Sequence, residues 1–144
     1  MRISARTEYA CIAMLELAGH YGSEEPVRIR RIAEQHEVPP RFLVQILLQL
    51  KGAGLVDSIR GAAGGYRLVK PPDEVSLGQI MEIVDSGALG DDHQTAAKAD
   101  SPAVRVLVDA WREVANAQRE MLQAVKLSDL LERSRSRQEQ MYHI

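Results

Sequence analysis

Residues 38–69 constrain the fold of this chain most, because a helical pattern is followed at once by a glycine-rich break. Apolar side chains recur there at spacings of one, three and four, which places them along one face of a helix: Phe42, Leu43, Ile46, Leu47 and Leu50. A proline suits a helix start because the first-turn N–H groups lack intrahelical partners, so we predict that this helix begins at Pro39. The segment Gly52-Ala53-Gly54 can supply the left-handed residue that closes a helix, which should therefore end before Leu55.

Two short runs with strand character follow, at 55–59 and 66–69. They are separated by Arg60 and a segment with three glycines, which permit backbone angles closed to other residues. A basic helix followed by a hairpin with an arginine at its tip is the winged helix-turn-helix arrangement. In it, the helix enters the major groove of DNA and the hairpin, called the wing, meets the neighbouring minor groove. The bare pattern fits equally well an ordinary helix–hairpin corner of a small α+β domain.

The upstream segment has the pattern of two further helices. Ser4 is suited to cap a helix that runs to about Tyr21. After a loop at 22–26, the stretch from Val27 to Gln35 carries apolar residues at helical spacing and is predicted to be the first helix of the helix-turn-helix. Arg28 stands where a serine or threonine cap is expected, so this helix start should be weakly capped and the arginine could reach a phosphate instead.

The downstream segment begins with a capping box. Residues 76–79 match that motif and are flanked by apolar residues placed as a hydrophobic staple, so we predict a helix from Leu77 to about Val84. A loop without periodicity follows at 85–102. We expect Ser128 to cap a short last helix, from Asp129 to about Gln138. The end of the chain, from Arg133 through Ile144, is expected to be frayed.

A long amphipathic helix is predicted from Ala103 to about Val125. Its apolar stripe is too wide for a monomer of this size to cover easily: Val104, Leu107, Val108, Trp111, Val114, Ala115, Gln118, Met121, Leu122 and Val125. Burial against a second copy would give a two-fold homodimer, with two recognition helices facing a palindromic site. Part of the stripe should pack on its own domain.

Composition narrows the class of protein. The net charge of −2 argues by itself against a nucleic-acid binder. However, residues 1–70 hold ten Lys and Arg and seven Asp and Glu, so this part is positively charged. Residues 71–144 hold eight Lys and Arg and thirteen Asp and Glu, so this part is negatively charged. This asymmetry is expected when one end meets phosphates.

No run of about 18 apolar residues and no apolar signal core are present, so a cytoplasmic protein is expected. Common catalytic motifs are absent and the four histidines lack motif partners, so we do not expect an enzyme.

The string VPPRFLVQIL…LKGAGLVDSIRGAAGGYRL resembles the signature of the Rrf-two family of bacterial transcriptional regulators. The opening MRISARTEYACIAMLELA is similar to that family's first helix, and the similarity spans most of the chain. We therefore expect a mainly α fold with a small β-hairpin. Residues 1–72 would form a winged helix-turn-helix DNA-binding domain, and residues 73–144 a helical dimerisation and effector region.

Candidate DNA contacts follow from the helix, the wing and the resemblance. The first candidates lie near the start of the recognition helix and off its apolar stripe: Arg41, Val44 and Gln45. Arginine can form hydrogen bonds with guanine, glutamine can form them with adenine, and valine can contact the methyl group of thymine. The resemblance implies that Arg60 enters the minor groove, where narrow A·T-rich sequence attracts a guanidinium. Tyr66 is expected to pack rather than to touch DNA. The candidate DNA-binding residues are Arg2, Ser4, Arg28, Pro40, Arg41, Val44, Gln45, Arg60, Gly61 and Gly64.

The loop at 85–102 departs from the family pattern. Cluster-binding members carry three cysteines there and this chain has none, so no cofactor is expected. Asp91, Asp92 and His93 could bind a divalent metal weakly, but adjacent residues in a loop are usually just solvated. The only cysteine, Cys11, is expected to be a small buried hydrophobe rather than a redox sensor.

The function expected from these features is sequence-specific DNA binding by a homodimeric transcriptional regulator. A repressor is favoured because occupancy alone can block a promoter. Its effector, which could be a small molecule, a partner protein or a non-cysteine cofactor, is left open. The alternative is a winged-helix module that binds protein without binding DNA.

Overall fold

The structure is a computed structural model that describes residues 2–86 and 97–142. These residues are mainly helical and carry a small β-hairpin, which confirms the expected fold class. The helices are α1 (Ala5–Gly19), α2 (Ile29–His36), α3 (Pro40–Gly52), α4 (Leu77–Val84), α5 (Pro102–Ala124) and α6 (Leu127–Tyr142). The strands are β1 (Val56–Ile59) and β2 (Gly65–Leu68), and a short 3-10 helix spans Pro72–Glu74. Among the described residues, none of the helices has the length and hydropathy needed to cross a bilayer.

The centre of the core is the apolar stripe of α3. Leu43, Ile46, Leu47 and Leu50 are fully buried, and α3 packs against α1, α2 and α4. The helix begins at Pro40 and not at Pro39, whose ψ of 126° is extended. Clash with the following proline ring disfavours the helical region for Pro39, so it can only precede the helix. At the other end, Gly54 takes a φ of 82° and the chain leaves the helix before Leu55, as predicted.

Helix α1 begins as expected, because the Ser4 hydroxyl accepts a hydrogen bond from the Thr7 N–H at 3.1 Å. It ends at Gly19, two residues before the predicted end. The N–H groups of His20 and Tyr21 bond to carbonyls three residues back, so the last turn tightens and the helix stops.

A buried ionic contact joins α1 to α2. The Glu16 carboxylate is only 11% exposed, lies 3.0 Å from His36 Nε2 and is 3.6 Å from Arg31 Nε. Immediately after His36, Glu37 adopts a left-handed φ of 54° and turns the chain toward α3. Glu16 therefore holds both helices that precede the recognition helix.

The start of α2 differs from the prediction, because Val27 is not helical. Its N–H donates to the Tyr66 carbonyl and its carbonyl accepts from the Tyr66 N–H, both at 2.8 Å. A β-branched residue suits this extended pairing, and a helical Val27 would forgo both bonds to β2. Arg28 becomes the residue before α2 and makes no side-chain cap, as expected.

The wing is a two-stranded antiparallel hairpin in which Val56 pairs with Leu68 and Ile59 with Gly65. Gly65 lies against the extended segment at the start of α2. A Cβ at Gly65 would overlap the Val27 carbonyl oxygen and lie 2.7 Å from its carbonyl carbon. Only glycine allows β2 to approach this closely. Tyr66 is partly buried and packs against the core, as predicted.

The capping box that opens α4 is confirmed in part. The Ser76 hydroxyl accepts from the Gln79 N–H at 3.1 Å, and the flanking residues Val75 and Ile80 are fully buried. Together with Leu127, these residues belong to the same hydrophobic cluster as the cores of α1 and α3. The division into a DNA-binding region at 1–72 and a second region at 73–144 is therefore a proposal about function, since the two share a core.

Helix α5 begins at Pro102, capped by Ser101, and has no buried residue. Its predicted stripe leaves Leu107 53% exposed and Met121 71% exposed. Its C-terminal end is joined to α4, where the Leu77 N–H donates to the Val125 carbonyl.

The prediction for α6 was wrong at both ends. The helix begins at Leu127, because the Asp129 carboxylate accepts from the Lys126 N–H at 3.0 Å and places the cap before Ser128. Ser128 is therefore inside the helix. The helical segment continues to Tyr142 rather than ending near Gln138.

Replacing Gly65 by alanine should lower the free energy of unfolding by about 1–3 kcal/mol, because the new methyl group displaces the Val27 backbone from the wing. Gly52 is the matched control, since a Cβ there meets nothing within 4 Å; Gly52→Ala should be neutral or stabilise by up to about 0.5 kcal/mol. Urea unfolding of both variants measures the difference. Equal stabilities would contradict the tight packing of β2 on Val27.

Candidate nucleic-acid interface

The outward face of α3 carries the predicted base-reading residues. Pro40, Arg41 and Gln45 are exposed, and Val44 is 43% exposed. The guanidinium carbon of Arg41 lies 5.1 Å from the centre of the Phe42 ring. This cation–π contact holds the charge at the N-terminal end of the helix.

Sequence reasoning missed Leu48 as a candidate contact on this face. It is 55% exposed and lies one turn after Val44, so the two make an apolar ridge beside Arg41 and Gln45. Its position off the buried stripe is visible in the sequence, but leucine has no hydrogen-bonding group that would mark it as a base contact.

At the wing, Arg60 is exposed and opens the loop between the strands. It makes no hydrogen bond or ion pair with any residue in 2–86 or 97–142. By contrast, Arg67 on β2 lies 3.8 Å from Asp57 across the hairpin. Gly61 has a φ of 109°, and the Gly64 N–H donates to the Gly61 carbonyl at 2.9 Å. These two glycines form the tight turn that presents Arg60.

The N-terminal end of α1 reaches the recognition helix. Arg2 is exposed, whereas the Ser4 hydroxyl is engaged within its own cap and lies 3.1 Å from Thr7 Oγ1. Arg6 donates a hydrogen bond to the side-chain oxygen of Gln49, which places a second guanidinium beside α3. The sequence placed Arg6 beside Arg2 and Ser4 at the start of α1, where basic side chains could hold a phosphate, but its contact with Gln49 across 43 positions leaves no local signal.

Two further contacts tie the wing to the helices. Lys51 Nζ donates to Ser58 Oγ at 2.7 Å, which joins the end of α3 to β1. The Arg28 guanidinium donates to the carbonyl oxygen of Ala62 in the wing loop. The structure therefore brings Arg28 together with the loop of Arg60, Gly61 and Gly64, although Arg28 precedes α2.

Sequence and structure comparisons identify the family. Residues 3–133 match the family described as Rrf2, iron-dependent transcriptional regulator. The chain belongs to the Rrf2 family. This confirms the resemblance seen in the sequence and makes the chain a transcriptional regulator of the helix-turn-helix type rather than an enzyme.

Individual Rrf2 proteins are similar over almost the whole chain. The HTH-type transcriptional regulator CymR of Bacillus subtilis is 35% identical over 130 residues, covering 90% of this chain and 89% of CymR. The HTH-type transcriptional regulator IscR of Aliivibrio salmonicida is 30% identical over 131 residues, covering 91% and 77%. The solved structure of B. subtilis CymR, named as the global cysteine regulator, superposes with a TM-score of 0.78 at 32% identity, covering 92% of this chain and 97% of that one. T. potens IscR gives a TM-score of 0.73 at 30% identity, covering 93% and 88%.

An iron–sulfur cluster held by cysteine thiolates does not fit this chain. Iron–sulfur clusters are held mainly by thiolates, and the sequence has one cysteine. In residues 2–86 and 97–142 no three His, Cys, Asp or Glu side chains are grouped to hold a metal ion. The weak metal site considered at Asp91, Asp92 and His93 lies outside the described residues.

The single thiol is also a poor sensor. Burial, followed by the negative charge of Glu8, raises the pKa of the Cys11 thiol from 9.0 to about 11. Because the thiolate is the reactive form, few of these thiols can attack an oxidant or bind a metal at neutral pH. Cys11 is therefore the inert, largely buried residue that the sequence predicted.

Native protein should react with iodoacetamide at about pH 8 at least tenfold more slowly than the urea-unfolded chain. A raised pKa leaves the folded thiol protonated, and the lower thiolate fraction alone slows the reaction by roughly 100-fold. Mass spectrometry of the timed reaction measures this ratio. Similar rates in the folded and unfolded states would show an activated thiol and reopen a redox role for Cys11.

Proposed function

We propose that this chain is a sequence-specific repressor that binds a palindromic operator as a homodimer. The observation that carries the proposal is the exposure of basic and polar side chains on both α3 and the wing. The outward face of α3 bears Arg41 and Gln45, and the wing bears Arg60, which makes no ion pair with the described residues. An exposed guanidinium without an internal partner is suited to a phosphate-lined groove.

Within this interface, each structural element is proposed to contact a different part of the DNA. Arg41, Val44 and Gln45 read base edges in the major groove, and Pro40 lets the first turn of α3 approach the backbone. Arg60 enters the minor groove on the Gly61–Gly64 turn. Arg2 and Ser4 contact phosphates at the start of α1, whereas the Arg28 guanidinium is engaged by the Ala62 carbonyl of the wing loop. Arg6, held on Gln49, adds a further positive charge beside α3.

The dimer is proposed from α5. This 23-residue helix has no buried residue, and its stripe exposes apolar side chains along most of its length: Leu107, Trp111, Val114 and Met121. Burial of such a stripe against its copy gives an isologous contact, which places two wings and two recognition helices on one duplex. Each half-site can then be weak, in keeping with the small positive excess of residues 1–70.

Repression is proposed because occupancy of a promoter suffices for it, and the effector remains open among small molecules, partner proteins and non-cysteine cofactors. The working site is proposed to be the cytoplasm, where a bacterial regulator meets chromosomal DNA. The alternative function is a winged-helix module that binds a protein partner. The modest net charge of −2 favours it, and the salt dependence of DNA binding separates the two.

Replacing Arg60 by alanine should weaken binding to duplex DNA by about tenfold or more, since a charged contact in each half of the dimer contributes about 1–3 kcal/mol. The logarithm of the wild-type association constant should fall linearly with the logarithm of the salt concentration, with a slope of about −0.9 for each phosphate that the protein neutralises. The slope should be shallower for Arg60→Ala. Fluorescence anisotropy with a random duplex measures both.

Arg67→Ala is the matched control, because that arginine lies on the same hairpin but is paired with Asp57. It should change affinity less than about twofold. Wild-type binding without salt dependence would favour the protein-interaction module, and an unchanged Arg60→Ala affinity would contradict the minor-groove role.

Replacing Leu107 by aspartate should convert the dimer to a monomer, because a charge on the apolar stripe would be buried without a partner in the interface. Val106 is the control. It is also an exposed apolar residue, at 70%, but lies off the stripe, about 100° around α5 from Leu107, so Val106→Asp should leave the dimer intact. Sedimentation equilibrium reports the mass. If Leu107→Asp remained dimeric, a different surface would have to form the dimer.

A further inference from the structure

Arg28 does not serve the helix that it precedes. It is the residue before α2, with extended backbone angles of −78° and 143°, and its side chain makes no cap. Its guanidinium instead donates to the carbonyl oxygen of Ala62, 34 residues away. Ala62 is the second residue after Arg60, so this contact holds the tip of the wing.

The base of the wing is held by the neighbouring residue. Val27 exchanges two 2.8 Å backbone hydrogen bonds with Tyr66, and the absence of a Cβ at Gly65 lets β2 lie against the Val27–Arg28 backbone. The segment before α2 therefore contacts the wing twice, through backbone at its base and through the Arg28 side chain at its tip.

A hairpin of two four-residue strands needs such support. Isolated two-stranded hairpins are marginally stable in water, so the direction of the tip depends on what the hairpin contacts. Within the wing loop, the Gly64 N–H donates a hydrogen bond to the Gly61 carbonyl. That bond shapes the turn but does not orient it relative to α2 or α3.

We propose that Arg28 is a positioning residue, whose hydrogen bond to Ala62 holds the wing loop in the orientation that directs Arg60 into the minor groove. The inference rests on the proposed DNA-binding function of the wing. A preordered loop loses less conformational entropy on binding, so the clamp raises affinity through Arg60. Arg28 itself remains exposed at the surface.

This role differs measurably from a direct phosphate contact by Arg28. A phosphate contact would act independently of Arg60, and the two substitutions would then weaken binding by multiplicative factors. A clamp that acts through Arg60 loses its effect when Arg60 is already missing. A double-mutant cycle distinguishes the two cases.

The experiment compares wild type, Arg28→Met, Arg60→Ala and the double variant by anisotropy with a duplex obtained by binding selection. Methionine keeps an unbranched aliphatic side chain but removes the donor and the charge. We expect Arg28→Met to weaken binding by about 5- to 20-fold in the wild-type background and by less than about twofold beside Arg60→Ala.

Arg30→Met is the matched control, because Arg30 is an exposed arginine of α2 that pairs with Glu34 at 3.2 Å. This substitution should not change the wing. The proposal would be overturned if Arg28→Met weakened DNA binding by the same factor in both backgrounds, or if it did not weaken DNA binding at all.

A second measurement needs no DNA. Amide hydrogen exchange in the wing loop, residues 61–64, should be several-fold faster in Arg28→Met than in wild type and unchanged in Arg30→Met. Unchanged exchange in Arg28→Met would overturn the clamp. If wild-type protein failed to bind any duplex, the proposed function would fall, while the exchange rates would still decide whether Arg28 holds the wing.

Discussion

Burial of one face of α3 is the constraint on which the rest of the structure depends. Leu43, Ile46, Leu47 and Leu50 are removed from water against α1 and α4, each contributing about 1.5–3 kcal/mol. Because the helix has 3.6 residues per turn, burying these four forces Arg41, Val44, Gln45 and Leu48 outward. The recognition surface is thus the necessary reverse side of the core.

The wing is attached to this arrangement by contacts distant in sequence. Lys51 reaches Ser58, Val27 pairs with Tyr66, and Arg28 reaches Ala62. All three connect the hairpin to helices of the helix-turn-helix, whose own geometry depends on Glu16 between α1 and α2. A perturbation of α2 would therefore move both the recognition helix and the wing.

The features that the sequence could predict are those with local signals. The stripe of α3, the caps at Ser4 and Ser76 and the break at Gly54 each depend on residues within a turn of one another, and each is present. The errors had two sources. The spacing of apolar residues predicts a helical Val27, but pairing with the distant Tyr66 makes it extended. The start of α6 is a local error, because the Asp129 carboxylate caps the Lys126 N–H and the helix begins before Ser128. The contacts of Arg6 with Gln49 and of Arg28 with Ala62 depend on tertiary packing and could not be predicted from spacing.

The central claim is that the wing meets the minor groove beside the site where α3 reads the major groove. Site-directed DNA cleavage tests it directly. An iron chelate attached to Ala62→Cys in a Cys11→Ala background leaves Arg60 in place and labels one position, because the chain has no other cysteine. The account predicts strand cleavage confined to minor-groove positions flanking each half of the selected operator. Cleavage spread evenly along a duplex that the protein demonstrably binds, or centred in the major groove, would contradict it.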